Sequence, residues 1–85
     1  MDITTKMVEK ILDGLVKPEF PIIYDFEILK LEGSVKNRFR INVIIKEQPM
    51  PGSTGGLQIE DSIRTALKYI GVESAYIEFY VVVDD

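Results

Sequence analysis

From Arg38 to Lys46 the chain alternates without a break: Phe39, Ile41, Val43 and Ile45 fall at one parity, and Arg38, Arg40, Asn42, Ile44 and Lys46 at the other. Successive side chains of a strand point to opposite faces, so this run is a β-strand with one dry face. Such a strand cannot stand alone. Its backbone N–H and C=O groups need neighbouring strands, and the row from Phe39 to Ile45 needs a second layer to cover it. The rest of the chain has to supply both.

Two helical stripes answer the second need. Ile3, Met7, Val8, Ile11, Leu12, Leu15 and Val16 recur at the three-to-four spacing of one helix face, with Lys6, Glu9, Lys10 and Asp13 on the solvent side. Asp2 is placed to cap this helix, Gly14 weakens its last turn and Pro18 ends it. Ile59, Ile63, Ala66, Leu67 and Ile70 mark a second helix, acidic at its start with Glu60 and Asp61 and closed by Gly71. The polar face of the first helix is of mixed sign and has no aromatic anchor, so its stripe packs on a core and not on a membrane.

Two further runs answer the first need. Lys17 to Pro21 reads as a stiff extended connector, after which Ile22 to Glu32 is rich in branched and aromatic residues and ends at Gly33-Ser34. This strand and the alternating run from Arg38 to Lys46 form an antiparallel hairpin across Glu32 to Asn37. Its apolar residues are split, Tyr24, Phe26 and Ile28 on one parity and Ile23, Leu29 and Leu31 on the other, which calls for a bulge or for partial cover on both faces. Ala75, Ile77, Phe79, Val81 and Val83 alternate with Tyr76, Glu78, Tyr80 and Val82 in a third strand. Gln48 to Gly56, dense in proline and glycine, is a loop. Residues 1–85 thus form a single α+β domain, a two-layer sandwich in α-β-β-α-β order, with a three-stranded sheet and two helices on one face. Phe39, Ile41, Val43, Ile77, Phe79, Ile11, Leu15, Ile63 and Leu67 are expected to be nearly inaccessible. The other face is left to Asp25, Glu27, Leu29, Leu31, Arg40, Asn42, Ile44, Tyr76, Tyr80 and Val82.

Eighty-five residues suffice for one core, burying roughly 60% of the unfolded surface, and not for two. The chain contains neither cysteine nor histidine. Thiolate nucleophiles, zinc ribbons and cysteine-held clusters are therefore excluded within it, as are the commonest general base and the commonest transition-metal ligand. No calcium-loop pattern arranges the carboxylates, so neither cofactor nor metal is expected. The N-terminus has no signal-peptide core and no apolar run, Val81 to Val83 included, is long enough to span a bilayer, which reads as a cytoplasmic protein. A formal charge of −4 opposes non-specific attraction to nucleic acid and anionic lipid.

Lys17-Pro18-Glu19 entering the first strand, and the helix, Gly71-Val72 and alternating strand between Ile59 and Val83, resemble the small iron–sulfur cluster assembly domains related to the phenylacetate-degradation protein PaaD. That family usually has Asp-Pro-Glu at the first position and a Thr-x-x-x-Cys-Pro type motif in the loop after the second strand. Here the loop reads Met50-Pro51-Gly52-Ser53-Thr54-Gly55-Gly56. The resemblance thus implies the fold and not the cluster chemistry.

Three surfaces remain as candidate sites. Pro51, Gly52, Ser53, Thr54, Gly55 and Gly56 precede a helix N-terminus and offer backbone donors to an anion, but no lysine or arginine lies among them, and the connector reading is preferred. Lys36, Arg38, Arg40 and Lys46 form a basic stripe that, with Tyr76 and Tyr80, suits a stacking platform for single-stranded nucleic acid. The simpler reading pairs these cations with Asp25, Glu27 and Glu78 across the sheet. Leu29, Leu31, Ile44, Tyr76, Tyr80 and Val82 make the outer sheet face half apolar, as a contact surface would be. Adjacent acids such as Glu60 and Asp61, and Ser53 and Ser62 without a histidine, do not assemble a catalytic site. The expectation is therefore a non-catalytic protein-interaction or assembly module that binds a protein partner or a second copy through the half-apolar sheet face or the long third strand. The alternatives are a nucleic-acid-binding accessory domain and a cysteine-less scaffold related to the cluster-assembly domains. A small-molecule ligand is left open.

Overall fold

The computed structural model describes residues 2–33, 36–46 and 55–82. Helix α1 spans Thr5–Leu15, strand β1 Ile23–Leu31, strand β2 Arg38–Ile45, helix α2 Gly55–Tyr69 and strand β3 Ser74–Val81. β2 is the central strand, antiparallel to β1 and parallel to β3. A parallel pair cannot be closed by a tight turn, and α2 lies in the crossover from β2 to β3. The architecture is the α-β-β-α-β two-layer arrangement expected from the periodicities. Among the described residues no helix is long and apolar enough to cross a membrane.

The dry face of β2 is the centre of the core. Phe39, Ile41, Val43 and Ile45 are inaccessible and pack with Val8, Leu12 and Val16 of the first helical segment, Ile59, Ile63, Ala66 and Leu67 of α2, and Val72. In β1 the split parity resolves as a bulge. Ile23 faces Ile45 but Asp25 faces Ile44, so Tyr24 is the extra residue, and both Ile23 and Phe26 reach the core. The Asp25 carboxylate holds the bend by accepting the Phe26 N–H at 2.8 Å.

The ends of the helices differ from expectation in two places. Thr4, not Asp2, caps α1, its hydroxyl accepting the Met7 N–H at 3.2 Å. Ile3 is instead tied into the fold: its N–H donates to Asn37 Oδ1 and its carbonyl accepts from Lys30 Nζ. Helix α2 begins at Gly55, a turn before the expected start, so Glu60 and Asp61 lie beyond its first turn and do not complement its dipole. Gly71 closes α2 as expected. Its φ of 91° is left-handed, its N–H donates to the Lys68 carbonyl, and the Val72 N–H donates to the Leu67 carbonyl, the two bonds of a Schellman motif. Lys17–Glu19 forms a 3-10 turn where an extended connector was expected, because Pro18 is well suited to the first residues of such a turn.

Four expected core residues are not fully buried. Phe79 is 36% and Leu15 50% exposed, while Ile77 and Ile11 are partly buried. The parity of β3 is correct, since Ala75, Ile77, Phe79 and Val81 face the same side as their β2 neighbours. Its coverage is not complete. α1 packs against α2 and β1, so the helical layer is centred away from β3, which is left at the margin of the sheet. Leu15 ends α1 beyond its buried line of Val8 and Leu12.

Candidate functional site: the uncovered side of the sheet

Pairing register places the outer face in rows. Leu29, Arg40 and Tyr76 form one row, Glu27, Asn42 and Glu78 the next, and Asp25, Ile44 and Tyr80 a third. Leu31 and Arg38 begin the face at the other end. Five of the six apolar or aromatic residues expected on this face, Leu29, Leu31, Ile44, Tyr76 and Tyr80, are therefore brought together. Leu29 and Tyr76 are each 53% exposed and Tyr80 is 47% exposed. Val82 follows the end of β3 and continues its pairing, donating its N–H to the Ile45 carbonyl at 2.8 Å.

One charge pair on this face is satisfied within it. Arg40 Nη2 lies 2.5 Å from Glu78 Oε1, and the Tyr80 hydroxyl donates to Glu78 Oε2 at 2.6 Å. The hydrogen bond from Arg40 holds the Glu78 carboxyl below the usual carboxylate range, and the bond from Tyr80 adds to this. Accepting that bond, Glu78 in turn pushes the Tyr80 phenol above its ordinary value. All three side chains are in contact with solvent, so the triad chiefly sets geometry: it spreads a guanidinium, a carboxylate and a phenol flat along two strands.

The basic stripe does not gather as a patch. Arg38 and Arg40 share the face, but Arg40 is taken by Glu78, and the Arg38 guanidinium sits 5.9 Å from the centre of the Tyr76 ring. Lys36 lies in the turn before β2 and Lys46 just after it, at opposite ends of a strand whose eight steps from Arg38 to Lys46 cover roughly 26 Å. Cross-strand neutralisation is thus realised at Glu78 only. Among the described residues Asp25 and Glu27 form no salt bridge, and Arg38 Nε and Asn42 Oδ1 are shielded without a hydrogen-bond partner.

The other candidates are less developed. Pro51, Gly52, Ser53 and Thr54 lie outside the described residues, while Gly55 and Gly56 belong to the first turn of α2. A cleft at the β1–β2 turn is lined by Asp2, Lys30, Glu32, Lys36 and Asn37, in which cations and acids interleave. A shallower groove runs between Leu15 and Tyr69. Among the described residues no three acidic side chains converge as a cation site would require. At the third strand, already expected as a possible contact surface, the sequence reading missed that Phe79 and Val81 are each 36% exposed on the helix side while Tyr76 and Tyr80 are exposed on the other. The absence of lysine, proline and glycine from Ser74–Val81 was the available signal. No protein-family model, curated protein or solved structure matches the chain.

Proposed function

We propose that this chain is a small non-catalytic interaction module that self-associates, with either the uncovered face of its sheet or the third strand at the sheet edge as the contact surface. The observation that carries the reading is the sheet face opposite the helices, where Leu29, Tyr76 and Tyr80 are half exposed beside Ile44 and Leu31. Exposed aromatic residues lose little conformational freedom when covered and contribute strongly to association. The Arg40–Glu78–Tyr80 triad favours contact too, since it neutralises the Glu78 carboxylate that lies between Tyr76 and Tyr80 on β3. The test is the molecular mass in solution of the native chain against Tyr80→Asp. The native chain should associate, and the variant should not, because it buries an unpaired carboxylate beside Glu78.

A second reading, the nucleic-acid accessory domain, has one observation in its favour, the stacking of Arg38 over Tyr76. It requires free cations, and Arg40 is neutralised in place. Salt-sensitive binding of a single-stranded oligonucleotide that disappears in Arg38→Glu would favour it over self-association.

A further inference from the structure

The two edges of the sheet are built differently. β1 carries Asp25, Glu27 and Lys30, is preceded by Pro21 and bends at the Tyr24 bulge. These are the devices by which an edge strand resists pairing with another chain. β3 has none of them. Ser74–Val81 is regular, pairs with β2 without a register shift, and contains a single charged residue, Glu78, which Arg40 and Tyr80 already engage. Its outer backbone is also free of any strand among the described residues.

Which groups point outward follows from the ladder. Val82 donates its N–H to the Ile45 carbonyl, so the even-numbered residues of β3 turn their backbone toward β2. Ala75, Ile77, Phe79 and Val81 therefore present N–H and C=O to the open edge. We propose that this edge pairs antiparallel with β3 of a second copy, Phe79 opposite its symmetry mate, making a continuous six-stranded sheet. The inference rests on the self-association reading and names the surface and the partner.

The strand's own sequence supports a second copy as the occupant. With a two-fold axis normal to the sheet, residues of equal parity face each other. Centring the pair between Ile77 and Phe79 would set Glu78 directly against Glu78 of the other copy, which like-charge repulsion disfavours. Centring it on Phe79 sets Phe79 against Phe79, Ile77 against Val81, Glu78 against Tyr80 and Tyr76 against Val82. Every apolar residue then meets an apolar or aromatic one, and each carboxylate meets a phenol. This register also covers Phe79 and Val81, the helix-side residues that the protomer leaves exposed, together with Ile77, which it already half covers.

The test uses the full chain. Val81→Pro removes an outward N–H that the protomer's own ladder does not use, so the variant should keep its circular dichroism and unfold cooperatively. Two intermolecular hydrogen bonds are lost by symmetry, and dimerisation should weaken by at least about tenfold. Ile44→Asp, on the central strand, should leave the dimer intact. Because the chain contains no cysteine, Phe79→Cys should form an intermolecular disulfide on oxidation, whereas Ile77→Cys should not. A dimer that survives Val81→Pro and is lost in Ile44→Asp would overturn the edge in favour of face-to-face packing, with self-association intact. Crosslinking through Ile77→Cys and not Phe79→Cys would overturn the register. A native chain that stays monomeric at every concentration would remove the second copy as occupant and the self-association reading with it.

Discussion

The two phenylalanines at Phe39 and Phe79 have the same parity and neighbouring strands, yet they have different energetic roles. Phe39 is inaccessible at the centre of the core and Phe79 is 36% exposed at its margin. Phe39→Ala should cost about 3 to 5 kcal/mol, and Phe79→Ala less than about half of that when unfolding is measured on the monomer. Equal losses in chemical denaturation would mean that the helices cover β3 as fully as β2. Glu78 gives a second prediction. Its carboxyl is lowered by the Arg40 hydrogen bond first and the Tyr80 bond second. The pairing therefore contributes stability above the ordinary carboxylate pKa, and that contribution is lost as pH falls through the lower folded value. The Tyr80 phenol is raised, so its contribution is present below the ordinary phenol pKa and fades as pH rises through the folded value. In an NMR titration, Arg40→Ala should move the Glu78 midpoint upward without restoring it fully, since Tyr80 remains. An unchanged midpoint would show that the ion pair does not form in solution.

At the scale of elements, the central strand, the third strand and both helical stripes were legible because each carries an unbroken period over many residues. The β1 bulge was half legible: the split between Phe26 and Ile23 demanded some irregularity, but its position depends on which β2 residues stand opposite, and that is set by the hairpin. Helix starts were less so. Thr4 and Asp2 are both good caps, and the choice fell to Thr4 because Ile3 is held by Asn37 and Lys30 from the hairpin. The outer face was readable residue by residue from strand parity. Its boundary was not, because whether β3 or β2 is central is a matter of long-range pairing that no local pattern records. The Gly71 cap is a case where local sequence and structure agree, and it makes a sharp prediction. Open space surrounds the position, with Ile3 Cδ1 3.8 Å from where a Cβ would stand, so Gly71→Ala meets no clash and its cost is conformational. A left-handed φ of 91° should make it destabilising by about 1 to 2 kcal/mol in thermal or denaturant unfolding. Gly14, inside α1 with open space around it, should respond oppositely, Gly14→Ala stabilising by up to about 1 kcal/mol.

For the whole molecule, one-sided cover is the organising fact. Two helices cover one face of three strands, the opposite face stays open, and the layer stops short of β3. An 85-residue chain has only a single small core to stabilise it, and the proposed second copy laid along β3 would extend that core without adding chain. Each copy carries a net charge of −4, so added salt should strengthen the association slightly by screening, the opposite of what a nucleic-acid site would show. The most direct measurement is sedimentation equilibrium of the native chain and of Val81→Pro over a range of concentrations. Self-association through β3 predicts a native mass that rises with concentration from 9.7 kDa toward twice that value, and a Val81→Pro mass that remains near the protomer's over the same range. A folded Val81→Pro variant that associates as strongly as the native chain would contradict it.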